Sequence, residues 1–242
     1  MSDKQPHILV SANEVSERVV VCGEPNRVNR IAAFLSEPQL LADNREYRVM
    51  KGQYRGHPIT VCSTGIGAPS AMIALEELQQ CGVRKMVRVG SAGALQPEIG
   101  LGELIIAEGA VRDEGGSKAY VDAVYPAVGD FTLTQALVEH CVAAGVSHYR
   151  GIVRSHDSFY TDDEARICDY WHGKGVLGAD METAALMTLG RLRGVAVAAV
   201  LTNVVRYQQD VKEGVADYVS ADDAMAQGEA RAIEAALFAL TH

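Results

Sequence analysis

"METAALMTLGRLRGVAVAAVLTNVV", residues 181–205, decides the fold class. Residues 181–194 carry apolar side chains at helical spacing and close on Gly194, so a helix is predicted there. Residues 195–205 follow at once as an apolar run rich in valine. A strand of that kind has no polar face to give to water, so it belongs in a sheet covered on both sides.

The same alternation extends outward in both directions. "RVVVCG" (18–23), "KMVRVG" (85–90), "LIIAEGAVRD" (104–113) and "YRGIVRSHDSFY" (149–160) are predicted strands. "NRVNRIAAFLS" (26–36), "PSAMIALEELQQCG" (69–82), "FTLTQALVEHCVAAG" (131–145) and "ADDAMAQGEARAIEAALFAL" (221–240) are predicted helices. Residues 46–64 form a hairpin with its turn near Arg55-Gly56. Strands alternating with helices make an α/β layer architecture. No linker, repeat or low-complexity stretch divides residues 1–242, so one domain is expected.

With 48% hydrophobic and 22% charged residues, the chain can bury a real core. Its net charge of -9 argues against nucleic acid or an anionic membrane as partner. Any anion must therefore be captured locally. No apolar run reaches membrane-spanning length and "MSDKQPHILV" has no signal-peptide core, so a cytoplasmic location is expected. The five cysteines have no metal-binding spacing, and buried thiols are the plain reading.

In open α/β sheets, ligands lie beyond the carboxyl ends of the strands. Three such ends pair glycine with a possible anion ligand: Gly23 and Arg27 in "CGEPNRV", Gly65 and Gly67 in "CSTGIGAPS", and Arg88, Gly90, Ser91 and Gly93 in "VRVGSAGAL". Glycine lets backbone N–H groups approach an oxyanion, and a guanidinium fork suits phosphate. Arg88 interrupts a strand otherwise made of Val and Met, so it needs a partner. Each glycine signal alone is better read as a turn, and Arg27 could be a solvated helix residue; together they suggest a small anion bound without a P-loop. "GADMETAAL" (178–186) has a plain explanation, a helix start with Asp180 as N-cap and Glu182 near the positive end of the dipole.

In this order, "GEPNRV", "STGIGAPS", "RVGSAGALQ", "AVRDEGGSKAY", "SHDSFY" and "ADMETAALMTLGRLRG" resemble the nucleoside phosphorylases of the uridine phosphorylase and hexameric purine nucleoside phosphorylase type. The likeness runs from about residue 7 to the terminal helix and is closest to the uridine side. It implies a single domain with a central mixed twisted sheet flanked by helices. The implied reaction is phosphorolysis of a ribonucleoside, uridine or a related pyrimidine nucleoside, to free base and ribose 1-phosphate. It needs no cofactor beyond phosphate as co-substrate.

The resemblance implies a phosphate site of Gly23, Arg27, Arg88 and Ser91, completed by Arg45 of a neighbouring subunit. Glu24 stands where the family usually has Asp. Met181 and Glu182 match the ribose-binding segment, with Asp180 in place of its usual first Glu. His7 matches a histidine that reaches the 5′-hydroxyl in the adjoining subunit. Arg27, Arg88 and Glu182 are then the catalytic set, acting by positioning and electrostatics. A donated Arg45 and His7 make a dimer the minimum active unit, and the family usually forms hexamers. Glu46, Ile66 and Ser70 match a structural potassium site; the plain alternative is a Glu bracing Arg45.

The base pocket matches neither subfamily. Where uridine-cleaving members carry Gln-x-Arg, this chain has Asp163 and Ala165, with Arg166 one place beyond. Where purine-cleaving members carry Ser-Asp, it has Thr202-Asn203. Phe159, Arg166 and Asn203 are the candidate base contacts, with core packing or solvent as the plain alternatives. Purine phosphorolysis, nucleoside hydrolysis and nucleoside binding without turnover remain open.

Overall fold

The apolar runs lie side by side. The structure, a computed structural model, describes residues 4–209 and 223–242. Among the described residues the strands are β1 (Arg18–Cys22), β2 (Ser36–Asn44), β3 (Tyr47–Tyr54), β4 (His57–Ser63), β5 (Lys85–Ala94), β6 (Leu104–Asp113), β7 (Ala127–Val128), β8 (His148–His156), β9 (Gly178–Asp180) and β10 (Ala196–Val205). The helices are α1 (Pro25–Ala32), α2 (Ala68–Gln80), α3 (Phe131–Ala143), α4 (Glu164–His172), α5 (Thr183–Arg193) and α6 (Asp223–Thr241).

The strands form one mixed sheet in the order β10-β6-β8-β9-β5-β1-β4-β3-β2. β10 also pairs with β5, from Ala196 opposite Lys85 to Asn203 opposite Ala92. That second pairing closes β10, β6, β8, β9 and β5 into a ring, with β1, β4, β3 and β2 continuing outward from β5. β7 is a short appendage on β6.

Helices cover both faces, which explains the uniform apolarity of β10. Val197, Ala199 and Leu201 join one buried cluster with Leu75 and Leu78 of α2 and Leu186 and Leu189 of α5. Ala198 and Val200 join the other, with Leu137 of α3 and Ile233 and Leu237 of α6. Successive side chains of a strand point to opposite faces, so both faces must be apolar. Each fully buried Val or Leu contributes about 1.5–3 kcal/mol relative to exposure. Among the described residues, no helix is long and apolar enough to cross a membrane.

Several expected boundaries move. The strand expected over 149–160 ends at His156, and the helix expected over 26–36 ends at Ala32. Residues 221 and 222 of the expected terminal helix lie outside the described residues. β2 carries no strand signal in the sequence. It is a mostly exposed edge strand containing Pro38, with two register shifts against β3. Edge strands are kept polar and irregular to discourage pairing with other chains, which removes the alternation that would announce them. The hairpin turn is where expected, with Arg55 at φ 50° and Gly56 at φ 80°, the left-handed pair a tight two-residue turn requires.

The start of α5 is a correction. Asp180 is not its N-cap: it ends β9, and Glu182 occupies the cap position without a side-chain cap bond. Asp180 still serves the first turn from two residues further back, its Oδ2 accepting from Thr183 N–H at 3.0 Å and Thr183 Oγ1 at 2.6 Å. Met181 and Glu182 thus stand on the bend between strand and helix.

Candidate active site

β1 and β5 run parallel, with Val21 opposite Arg88. Their carboxyl ends therefore deliver Gly23 and Arg88 to one region. Pro25 at the start of α1 places Arg27 in its first turn. Arg27 is buried, with Nε donating to Glu229 Oε2 at 2.7 Å and Nη1 to Val89 O at 3.3 Å. Glu229, buried on α6, also accepts from Arg30 Nε at 2.5 Å. Glu24 pairs with Arg30 instead of capping α1.

Arg88 is 3% exposed. Its Nε donates to Asp180 Oδ2 at 3.1 Å and its Nη2 to Glu182 Oε2 at 2.5 Å. Its Nη1 is fully enclosed and has no hydrogen-bond partner among the described residues. A buried guanidinium N–H without a partner costs about 1–3 kcal/mol or more, so this donor is left for an acceptor. Ser155 Oγ donates to Asp180 Oδ1 at 2.5 Å and fixes the carboxylate that holds Arg88.

The glycine turn of "STGIGAPS" meets the same cluster. Gly65 and Gly67 have φ of 73° and 93°, and Gly67 N–H donates to Glu182 Oε1 at 2.5 Å. Burial pushes the Glu182 carboxyl above its ordinary range; Arg88 pulls it down and Asp180 pushes it further up. The buried carboxylates Asp180, Glu182 and Glu229 outnumber the buried guanidiniums Arg27 and Arg88, and only half-exposed Arg30 restores the balance.

Cys22 lies beneath this cluster, where Arg27 and Arg88 both favour its thiolate. Burial outweighs them and pushes the thiol up to about 12. Cys62, Cys81, Cys141 and Cys168 are raised too, each chiefly by burial. Burial thus disfavours the nucleophilic thiolate at each of them.

Ser91 and Gly93 are the partly exposed positions near the end of β5, and Ala179 and Met181 are also partly exposed. Gly93 and Ala179 pair across β5 and β9, so with Ser91 they form a partly open floor near the end of β5, on the strand face opposite Arg88. Phe159 lies edge-on to Tyr160 at 5.0 Å in the segment after β8, half-buried.

Two expected residues are gathered elsewhere. Arg45 sits exposed in the turn between β2 and β3 at φ 55°, with no ion-pair partner among the described residues. Next to it, Asn44 Nδ2 donates to His7 O at 2.8 Å. His7 is not plain surface: its Nδ1 lies 2.6 Å from Oε1 of buried Glu77, which also accepts from the N–H groups of His7 and Ile8. His7 and Arg45 thus share one corner of the molecule.

Glu46 packs on Gly65, where an added Cβ would lie 2.8 Å from Glu46 Cγ and 3.0 Å from Ser70 Oγ. Ser70 Oγ donates to Ile66 O at 3.2 Å. One carboxylate and neutral oxygens therefore converge, whereas no group of three or more His, Cys, Asp or Glu among the described residues is arranged for a metal ion.

Arg166 and Asn203 are not brought to this floor. Arg166 stands on the outer side of α4, 74% exposed and paired with Asp163 at 2.7 Å. Asn203 is fully buried, donating from Nδ2 to Ile99 O and Gly100 O at 3.2 and 3.0 Å. It ties a loop to β10 and faces away from solvent.

A family model described as the phosphorylase superfamily matches residues 17–239. A uridine phosphorylase of Thermococcus kodakarensis is 42% identical over 216 residues, spanning 83% of this chain and 78% of the relative. A guanosine phosphorylase of Halorubrum lacusprofundi is 39% identical over 199 residues, covering 82% of each. Among solved structures, uridine phosphorylase from Vibrio fischeri ES114 superposes with a TM-score of 0.93 at 57% identity, covering 98% of this chain and 97% of that one.

Proposed function

The chain belongs to the phosphorylase superfamily, and from that premise we propose that it cleaves uridine by phosphorolysis, releasing uracil and ribose 1-phosphate. It is an enzyme of the nucleoside phosphorylase class, a pentosyltransferase. The observation that carries the site is Arg88, held by Asp180 and Glu182 with an enclosed Nη1 left to donate.

In this reading Arg88 spans the two halves of the site. Nη1 takes phosphate, while Nη2 holds the carboxylate that faces the sugar. Gly23, Arg27 and Ser91 complete the subunit's own contribution to phosphate, and Arg45 comes from a neighbour. Glu182 already accepts from Gly67 N–H and Arg88, but a carboxylate offers about four lone-pair sites. The 2′ and 3′ hydroxyls of ribose take the rest, and Met181 packs on the apolar ring face. His7, its Nδ1 committed to Glu77, presents Nε2 to the 5′-hydroxyl of the adjoining subunit's substrate.

Phosphate is the nucleophile, so the protein supplies none. As the C1′–N1 bond breaks, positive charge builds on the sugar, and the bound phosphate stabilises it before attacking C1′. Phe159 flanks the base. Glu46, Ile66 O and Ser70 are apt ligands for a structural potassium ion between subunits. The active assembly is a dimer at least, and a hexamer by analogy with the family.

One observation favours a second reading, 6-oxopurine nucleosides as substrates: the resemblance to the guanosine phosphorylase. A panel of uridine, cytidine, inosine and guanosine, each with and without phosphate, tests both. The proposal expects phosphate-dependent release of uracil above all other bases. Equal rates without phosphate would mean hydrolysis, and binding without turnover would mean a sensor.

A further inference from the structure

Buried in β8, on the strand face opposite Ser155 and Asp180, lies a second guanidinium. Arg154 is opposite Ala179 in β9, and Ala179 is opposite Gly93 in β5. Residues paired across strands point to the same face, so these form one row. Two members of the row have little or no side chain and are partly exposed. Arg154 therefore stands at the edge of an open floor that continues to Ser91, two residues before Gly93 on the same face of β5.

Arg154 is anchored but not used up. Its Nε donates to Asp113 Oδ2 at 2.8 Å. Its side chain is 9% exposed, yet its two Nη groups make no hydrogen bond among the described residues. Asp113 pairs in register with His156, so it too is on this face and sets the guanidinium plane from behind. Neither Nη atom is among the fully enclosed ones, so their four N–H donors are accessible to a ligand.

His156 follows two residues later on the same face of β8. Its Nδ1 lies 3.0 Å from Ser158 O. A carbonyl oxygen only accepts, so Nδ1 carries the proton, and neutral imidazole then presents a lone pair at Nε2. Burial first and Arg154 next hold this histidine below its ordinary pKa and keep it neutral.

We propose that Arg154, braced by Asp113, and His156 read the imide edge of the nucleobase. Arg154 donates to a ring carbonyl oxygen, and His156 Nε2 accepts the adjacent N–H. This deepens the phosphorylase reading and rests on it. It replaces Arg166 and Asn203 as the source of base recognition. Uracil offers the matching acceptor and donor, and a 6-oxopurine repeats the pattern, whereas cytosine turns a lone pair toward His156. Arg154 also has a part in the chemistry. When C1′–N1 breaks, the bond's electron pair moves onto N1 and spreads to the ring carbonyl oxygens. A phosphate oxygen forms the new bond to C1′, and solvent later protonates the base. A guanidinium on the carbonyl oxygen stabilises that departing anion.

The test is steady-state kinetics of the parent, Arg154→Met, Arg154→Lys and Asp113→Asn on uridine and 5-fluorouridine. Arg154→Met is expected to lose on the order of 10²-fold in kcat/KM for uridine, the loss typical of one oxyanion donor. The KM for phosphate should stay at the parental value. The deficit should shrink on 5-fluorouridine, whose base leaves more easily, a dependence that a merely structural role would not produce. Arg154→Lys should recover part of the rate, and Asp113→Asn should lose less than Arg154→Met. These last two keep the test sharp if Arg154→Met does not fold. An Arg154→Met variant within a few-fold of the parent on uridine, an Arg154→Lys variant no better than Arg154→Met, or an equal deficit on both substrates overturns the inference alone. A parent without phosphate-dependent cleavage of uridine overturns the functional reading and this inference with it.

Discussion

Arg88 and Arg154 obey the same logic one strand pattern apart. Each is a buried guanidinium with one edge fixed by a carboxylate, Asp180 or Asp113, and another edge open. Arg88 was legible in the sequence because a cation among Val and Met demands a partner. Arg154, in "GIVRSH", carries the same signal, but the resemblance places base contacts further along, after "SFY". His156 makes the residue scale testable by pH. Arg154 lowers its pKa, while the Ser158 carbonyl, Glu164 of α4 and Asp180 of β9 raise it. The balance, dominated by burial, lies below the ordinary 6.5. The neutral form and its Nε2 acceptor are complete above 6.5 and fade as pH falls through the depressed value. KM for uridine should therefore rise in that acid window. In Arg154→Met the window should shift to higher pH, since an opposing cation is gone. NMR titration of the imidazole checks the direction, and an unmoved or lowered value would contradict it.

At the scale of elements, the legible parts were those with strong periodicity. β1, the hairpin, α2 and β10 announce themselves, because burial on both faces or on one helical stripe writes a regular pattern. β2 and β9 do not. One is a polar edge, and the other is only Gly178–Asp180, too short for any period to register. The turn before α2 shows what a short signal can still carry. Gly67, at φ 93° and ψ 161°, occupies a region essentially confined to glycine, and that geometry aims its N–H at Glu182. Gly67→Ala should destabilise the fold by about 1–3 kcal/mol and weaken the grip on ribose. Denaturant melts and the KM for uridine measure the two effects. A fully stable variant with parental KM would show that the turn is not strained in this way.

For the whole molecule, the sheet's ring gathers the site and the outer strands reach away from it. Arg27, Arg88, Glu182 and the glycine turn converge at the carboxyl ends of β1, β4 and β5. Arg45 and His7 instead share an outlying corner, joined through Asn44. Local patterns in the sequence named the parts, but a list of parts cannot say that two of them lie together; the bond from Asn44 to His7 does. In the proposed assembly, Arg45 of a neighbour would add the positive charge that an incoming phosphate needs. Arg45→Ala and Arg88→Ala should each lose at least ~10²-fold in rate as pure proteins. Mixed and reassembled, they should regain activity, because some sites then combine an intact Arg88 with a donated Arg45. No recovery in verified mixed oligomers would mean that the site is not shared.

The central claim is that phosphate, held against Arg88, ends up on the sugar. ³¹P NMR of uridine turnover in phosphate buffer measures this directly. A sugar-phosphate resonance of ribose 1-phosphate should grow in step with uracil, one for one. Uracil accumulating with free ribose and an unchanged phosphate signal would contradict the account.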